Sequence, residues 1–128
     1  MRVLLDTHAL VWALAEPERL SSRARATIAN PATDAFVSMA SAWELAILES
    51  LGRVRFGVSL ASIFSDGLAA LRIRLLPIQL QHVVRLTALP HHHSDPFDRL
   101  LIATAMAEKL TLVSSDREFK KYAAVTLW

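Results

Sequence analysis

Short apolar segments that alternate with helix-like stretches constrain the fold of this chain more than any other feature. Residues 2–6 (RVLLD), 34–38 (DAFVS) and 110–116 (LTLVSSD) have the composition of buried strands, and weaker strand patterns lie at 74–78 (RLLPI) and 124–128 (AVTLW). Strands that alternate with helices favour a parallel sheet covered by helices. The pattern therefore predicts an α/β fold, a three-layer α/β/α sandwich around a mostly parallel sheet of about five strands.

Helical patterns fill the intervals between the predicted strands. They cover residues 7–16, 20–31, 41–52, 59–71, 79–89 and 117–123, and one more helix begins at Asp95. Pro17 stops the first of these helices and Gly52 ends the third. Because the chain has 128 residues and no repeats or long linkers, we predict a single domain that spans residues 1–128.

The segment SDPFDRLLIATA, which starts at Ser94, begins the last long helix with two aspartates. Asp95 is a good N-cap and Pro96 suits the first helical position. Asp98 then falls at the third position, from which a carboxylate can reach back to the amide of the cap. Capping alone explains the pair, so a chemical role for either residue needs support from the rest of the chain.

Four acids lie directly after a predicted strand or in the first turns of a predicted helix, which brings them to one edge of the sheet. They are Asp6, Glu44, Asp98 and Asp116. In parallel sheets ligands bind outside the carboxyl ends of the strands, and all four acids are expected there. Clustered carboxylates repel one another and need protons or cations to coexist, and oxygen-only clusters suit Mg²⁺ or Mn²⁺.

Each of these acids also has a purely structural interpretation. Glu44 forms a Ser-x-x-Glu capping box with Ser41, and Asp116 is placed to cap the helix that follows it. Asp6 is harder to explain in this way, since a charge that directly ends an apolar strand is costly to bury without a partner. Taken together, the four positions predict a metal site that could activate water for phosphodiester cleavage.

At this point the residues resemble a known family. The segments LLDTHALVWAL, VSMASAWELAI, HHHSDPFDRLLIATA and LTLVSSDREFKKY are similar, in that order, to the four motifs of PIN-domain ribonucleases, and most of all to VapC-type toxins of bacterial toxin–antitoxin pairs. The resemblance spans nearly the whole chain. It implies a parallel α/β/α sandwich and a Mg²⁺- or Mn²⁺-dependent acidic site that cleaves RNA.

The resemblance also implies roles for single residues. Asp6 matches the first acid of the family, Glu44 the second and Asp98 the third, and Asp116 matches the fourth, which is the most variable. These four are predicted as catalytic metal ligands.

Three further residues are predicted to support the four acids. Ser114 matches a small hydroxyl residue that helps to order the acids, and Asp95 belongs to the DPFD form of the third motif, where we assign it to capping or to supporting contacts. Thr7, next to Asp6, is predicted as a third supporting residue. The family further implies a homodimer and a small antitoxin protein that blocks the site.

Composition is consistent with a protein that has partners. Hydrophobic residues make up 53% of the chain, yet no apolar run approaches the roughly 18 residues that a membrane span needs. We therefore expect no membrane segment, and we interpret the apolar surplus as a partner or dimer interface for which Trp12 and Leu14 are candidates. The absence of cysteine fits a cytoplasmic protein.

The formal charge of +2 combines 14 basic with 12 acidic residues, so the charge outside the four acids is clearly positive. The basic residues occur in three groups, which are Arg19, Arg23 and Arg25, then Arg53 and Arg55, then Arg117, Lys120 and Lys121. These groups could contact an RNA phosphate backbone, although a solvated charged face explains any one of them.

The histidines and two rival functions stay open at this stage. The run His91–His93 lacks the H-E-x-x-H zinc signature, and we interpret it as a loop near the site, whereas His8 is expected to pack within its helix. One rival is a small-ester phosphatase with Asp6 as nucleophile, but His8 stands where such enzymes commonly have a second aspartate. The other rival is a degenerate PIN fold that binds RNA or protein without catalysis.

Overall fold

A five-stranded sheet lies at the centre of the computed structural model, which describes all residues from Met1 to Trp128. The strands are β1 (Arg2–Leu5), β2 (Asp34–Ser38), β3 (Ile73–Leu76), β4 (Thr111–Val113) and β5 (Thr126–Leu127). They lie in the order β3-β2-β1-β4-β5, and every neighbouring pair is parallel. The predicted α/β class and its parallel sheet are therefore confirmed.

Seven α-helical segments connect the strands. They are α1 (Thr7–Ala15), α2 (Ser22–Ala29), α3 (Met39–Ser50), α4 (Leu60–Ser62), α5 (Leu68–Ala70), α6 (Leu80–Arg85) and α7 (Pro96–Glu108). A π-helical turn, Ile63–Gly67, joins α4 to α5, and 3-10 turns cover Pro17–Arg19, Leu86–Ala88 and Arg117–Lys121. No helix has both the length and the hydropathy that crossing a membrane requires.

Helices cover both faces of the sheet because β1 supplies side chains to two separate cores. Successive side chains of a strand point to opposite faces. Val3 and Leu5 pack with residues of α1, α2 and α5, whereas Leu4 packs with residues of α7 such as Leu101 and Ile102. The result is the predicted three-layer sandwich, with the middle of β1 completely buried.

Several predicted boundaries differ from the observed ones by one or two residues, and two of them have a clear physical reason. Helix α3 begins at Met39 rather than at residue 41, because the side chain of Ser38, the last residue of β2, already accepts a hydrogen bond from the amide of Ala40. Strand β3 covers Ile73–Leu76 rather than 74–78. Proline has no amide hydrogen for a sheet ladder, so the strand ends before Pro77.

The parallel pairing of β1 positions the loops that matter for function. Leu5, the last residue of β1, is in register with Val37 of β2 on one side and with Val113 of β4 on the other. The chain therefore leaves all three strands at the same edge of the sheet. Asp6, the start of α3 and the loop that begins at Ser114 are consequently neighbours in space.

The packing of α7 against the sheet predicts how much its core residues stabilise the fold. Leu101 is completely buried, so Leu101→Ala should lower the free energy of unfolding by about 2–5 kcal/mol through lost apolar contact and a residual cavity. Leu51→Ala is the matched control, because Leu51 is 61% exposed and its truncation should change stability by less than about 0.5 kcal/mol. Urea unfolding of both variants measures the difference, and equal losses would contradict this description of the core.

Candidate functional site

Asp6 is the most deeply buried acid of the site. It follows β1 directly, and its backbone amide donates to the carbonyl oxygen of Val113 at 3.1 Å. As the N-cap of α1, it accepts a hydrogen bond from the amide of Ala9 at 2.7 Å through Oδ1. Burial raises the pKa of Asp6, whereas its hydrogen bonds to the Ser114 hydroxyl and to Ala9 act in the opposite direction. An acid only 5% exposed is thus held in place by neutral donors.

Glu44 faces Asp6 from the second turn of α3. Its Oε1 accepts a hydrogen bond of 2.6 Å from the hydroxyl of Thr7, which lies 3.0 Å from the Ser41 hydroxyl. The capping-box interpretation of Ser41 and Glu44 is wrong, because Ser38 is the N-cap of this helix and Ser41 is a buried residue inside it. The pKa of Glu44 is raised by burial.

The two aspartates at the start of α7 have different surroundings. Asp95 is the N-cap, and its Oδ1 accepts hydrogen bonds from the amides of Phe97 at 2.8 Å and Asp98 at 3.1 Å. Asp98 does not reach back to the cap, since the amide of Asp95 donates instead to Nδ1 of His93 at 3.1 Å. The predicted cap is therefore confirmed, and Asp98 is not used in the capping of its own helix.

Asp116 and Ser114 form the fourth corner of the site, after β4. Asp116 caps the 3-10 turn Arg117–Lys121 by accepting a hydrogen bond of 2.9 Å from the amide of Glu118. The Ser114 hydroxyl accepts from the amide of Asp116 at 3.0 Å and is also hydrogen-bonded to the Asp6 carboxylate. Ser114 consequently links the acid that follows β1 to the acid that follows β4.

His93 is a site residue that sequence analysis did not single out. Its Nε2 lies 3.2 Å from Oδ2 of Asp98 and 3.0 Å from Oδ2 of Asp116. The only sequence signal was the position of the histidine run just before the DPFD motif. That signal does not separate His93 from its exposed neighbours His91 and His92.

The electrostatics of the site are those of acids without a cationic partner. Burial, together with the charges of Asp95, Glu44 and Asp6, raises the pKa of Asp98 to about 7, and the charge of His93 acts in the opposite direction. No lysine or arginine forms an ion pair with any of the four acids, because the Lys and Arg ion pairs in the structure all lie elsewhere. Buried, mutually repelling carboxylates with oxygen donors fit a hard divalent cation.

All four predicted acids thus meet at one edge of the sheet, together with Thr7, Ser114 and Asp95. Oxygen or nitrogen atoms of His93, Asp98 and Asp116 lie within 4.8 Å of one another, close enough to share an ion. The roles of the four acids as metal ligands stay predictions. Acids outside this set lie elsewhere, apart from Glu118, whose amide donates to Asp116 at 2.9 Å. Asp34, for example, starts β2 and pairs with Arg74 at 3.0 Å, and Glu108 ends α7.

His8 and one of the three basic groups lie at the surface beside the site. The His8 ring packs against Trp12 of the same helix, as expected, with centroids 5.8 Å apart, although the residue is exposed. The charge of His8 lowers the pKa of Asp6, so it lies near the site. All three basic groups are exposed. The group in Arg117–Lys121 directly follows Asp116, which places positive charge at the border of the acidic site.

Comparison with known proteins identifies relatives of this chain. The family model described as the PIN domain matches residues 3–125. The chain is 34% identical to Ribonuclease VapC22 of Mycobacterium tuberculosis over 130 aligned positions, which cover 98% of both proteins.

Solved structures with a similar fold come from toxin–antitoxin complexes. VapBC2 of Rickettsia felis, bound to a DNA fragment from its promoter, matches with a TM-score of 0.75 at 16% identity over 99% of this chain and 98% of the other. VapBC-1 of nontypeable Haemophilus influenzae matches with a TM-score of 0.63 at 17% identity over 99% and 97%. A toxin–antitoxin complex of Klebsiella pneumoniae matches with a TM-score of 0.62 at 15% identity over 98% and 96%. At these identities the matches demonstrate a shared fold.

The raised pKa of Asp98 predicts an unusual pH dependence for the metal-free protein. Between its unfolded pKa of 3.8 and its folded pKa of about 7, the folded state binds a proton that the unfolded state has lost. The free energy of unfolding should therefore fall as the pH rises through this window. Urea unfolding in a chelator at several pH values measures the slope. Asp98→Asn should make the slope shallower without abolishing it, because the raised pKa values of Asp6 and Glu44 remain. Glu49→Gln, an exposed control on α3, should leave the slope unchanged. A wild-type stability that rises across this window and an identical slope for Asp98→Asn would contradict the assignment.

Proposed function

The chain belongs to the PIN-domain family, and from this membership we propose that it is a metal-dependent endoribonuclease of the VapC type, the toxin of a toxin–antitoxin pair. The observation that carries the proposal is the convergence of Asp6, Glu44 and Asp98 on one sheet edge, where burial raises the pKa of each. An arrangement that costs stability in the metal-free protein is expected where cation binding or catalysis requires it. The relative named as a ribonuclease, aligned over nearly the whole chain, supports the same reaction.

The four acids Asp6, Glu44, Asp98 and Asp116 would hold the ion. Their carboxylate oxygens favour Mg²⁺ or Mn²⁺ over metals that prefer sulfur or imidazole. When bound, such an ion supplies charge stabilisation and an activated water for displacement at a phosphodiester phosphorus.

The chain's own residues fix the orientation of these acids. The hydroxyl of Thr7 orients Glu44, and Ser114 holds Asp6 and Asp116 in one network. Asp95 fixes the first turn of α7 and thereby the direction of Asp98. Supporting contacts of this kind keep metal ligands in place and tune their affinity.

RNA is the proposed substrate, and the cytoplasm is the proposed location of the protein. Positive charge at Arg117, Lys120 and Lys121 borders the acidic edge, and the remaining exposed arginines lie on other parts of the surface. Basic side chains beside a metal site would hold the phosphates of a single strand while the acids act on one of them.

An antitoxin is the proposed protein partner. An apolar groove of about 490 Å³ lies between α1, α3 and the π-helical turn, and Leu14, Leu45 and Ile63 contribute to its wall. Leu14 was one of the two predicted interface residues, whereas the other, Trp12, packs against Trp128 with ring centroids 5.7 Å apart. The groove supports capture of an apolar segment of the partner, and the three structural neighbours are themselves toxin–antitoxin complexes.

A homodimer is the second proposed assembly. Large apolar side chains are exposed on two helices. They are Trp43 and Ile47 on α3, and Leu80, Val83 and Val84 on α6. Exposed apolar clusters of this kind are typical of surfaces that associate.

The two aspartates of α7 give the sharpest test of the catalytic assignment. Asp95→Ser keeps an oxygen for capping, so stability should change little and RNA cleavage should survive. Asp98→Ser removes a proposed metal ligand, so cleavage should fall at least about 100-fold, as is common when a catalytic electrostatic group is lost. A Mn²⁺ binding titration should show the same split. Wild-type cleavage by Asp98→Ser, in a preparation free of other nucleases, would favour a non-catalytic PIN fold, and loss of cleavage only in Asp95→Ser would make Asp95 the ligand.

The biological role predicts a growth phenotype. Expression of the chain alone should arrest a bacterial host, and Asp6→Asn should abolish the arrest, because the amide keeps the cap of α1 but removes a ligand charge. Co-expression of the reading frame next to its gene should restore growth, and Leu14→Asp should prevent that rescue by placing a charge in the apolar groove. Unimpaired growth with the soluble wild-type protein, at levels that match Asp6→Asn, would refute the toxin role.

A further inference from the structure

The loop that carries the three histidines is fixed at several points by the rest of the chain. The hydroxyl oxygen of Tyr122, a buried residue near the end of the chain, accepts hydrogen bonds from the amides of His92 at 2.9 Å and His93 at 2.8 Å. The guanidinium of Arg99 donates to the carbonyl oxygens of Pro90 at 2.7 Å and Leu89 at 3.3 Å. Because Tyr122 and Arg99 both hold this loop, the ring of His93 has little conformational freedom.

The ring of His93 has a defined orientation and a defined tautomer. Its Nδ1 accepts the hydrogen bond from the Asp95 amide at 3.1 Å, so the ring proton lies on Nε2. The ring also packs against Phe119, with centroids 5.6 Å apart, and the side chain is only 14% exposed. His93 therefore presents an N–H group, rather than a lone pair, to the centre of the site.

That N–H group is hydrogen-bonded to Asp116, and Asp98, from a different part of the chain, lies beside it. Oδ2 of Asp98 belongs to α7 and Oδ2 of Asp116 belongs to the loop after β4, and both lie within hydrogen-bonding distance of Nε2, at 3.2 Å and 3.0 Å. No hydrogen bond joins α7 directly to Asp116, so the imidazole is the connection between these two carboxylates.

We propose that His93 is a positioning residue whose Nε2–H sets the spacing of Asp98 and Asp116 and so prepares this pair for the metal ion. This inference rests on the proposed metal-dependent function. The Asp95 amide orients the ring, and Tyr122 and Arg99 orient the loop. Asp95 is thereby joined to the site through His93 as well as through the cap of α7.

A direct ligand role for His93 is the competing interpretation, since its nitrogen lies close enough to both acids to share an ion with them. Ligation through Nε2 would require the ring proton to move to Nδ1, where it would confront the hydrogen of the Asp95 amide. The hydrogen bond at Nδ1 would then be lost. The contacts of both ring nitrogens therefore favour the donor role.

Three variants distinguish these roles through Mn²⁺ binding, measured by electron paramagnetic resonance without any RNA present. His93→Ala removes the donor and should weaken Mn²⁺ binding about 10- to 100-fold, as loss of a residue that orients metal ligands typically does. His93→Gln keeps an N–H donor at the end of its side chain and should recover most of the affinity. His91→Ala is the matched control, because His91 is exposed and precedes the ring that contacts the acids. It should bind as the wild type does.

A second measurement on the unmodified protein is independent of metal. Nitrogen chemical shifts of the His93 ring in the metal-free protein should report the tautomer with its proton on Nε2. The opposite tautomer, or unchanged Mn²⁺ binding in His93→Ala, would overturn the proposal. Equal losses in His93→Gln and His93→Ala that are larger for Mn²⁺ than for Mg²⁺ would instead make His93 a ligand, because imidazole suits transition metals better than Mg²⁺. A wild-type protein that binds neither ion would refute the proposed function itself, and the inference with it.

Discussion

The pairing of β1 with a parallel strand on each side determines where the rest of the site can form. Leu5 is locked between Val37 and Val113, and the next residue, Asp6, still donates its amide to the β4 carbonyl. Its side chain therefore emerges where the sheet ends and the helices begin, in a place that water scarcely reaches. A carboxylate in that position must find donors from the chain itself or a cation from solution. The hydroxyls and amides that surround Asp6 follow from this requirement.

The chain satisfies the requirement only in part. Neutral donors from Thr7, Ser114 and the amide of Ala9 stabilise the charged forms of Glu44 and Asp6, yet burial still raises the pKa of both. A lysine or arginine at this edge would lower those pKa values and stabilise the metal-free protein. It would also neutralise the charge that a divalent ion needs. No lysine or arginine forms an ion pair with any of the four acids, so their negative charge is available to a divalent cation.

Much of the fold and of the acid cluster could be predicted from the sequence. Both depend on local patterns and on one topological rule, that the carboxyl ends of parallel strands meet at the same edge of a sheet. Apolar runs located the strands, and parallel pairing then placed Asp6, Glu44 and Asp116 at one edge. The start of α3 was missed because Ser38 and Ser41 carry the same capping signal, and only the end of β2 decides between them. His93 was missed because its orientation depends on Tyr122, a residue 29 positions away whose contact with the loop no periodicity predicts.

Capping and chemistry are not alternatives at this edge of the sheet. Strands β1, β2 and β4 end here, and each is followed by a helical turn whose first amides need an acceptor. Asp6 and Asp116 supply that acceptor after β1 and β4, and Asp95 does so for α7. After β2 the cap is the neutral hydroxyl of Ser38, and there the acid comes from Glu44, almost two turns further along the helix.

Where a carboxylate caps a helix, one oxygen can accept the amide hydrogens and the other remains free for a further partner. A parallel sheet with aspartate caps thus concentrates negative charge at its carboxyl edge as a consequence of starting its helices. The step from such an edge to a metal site requires only that the free oxygens be brought to a common spacing, and the His93 ring is placed to provide it for Asp98 and Asp116.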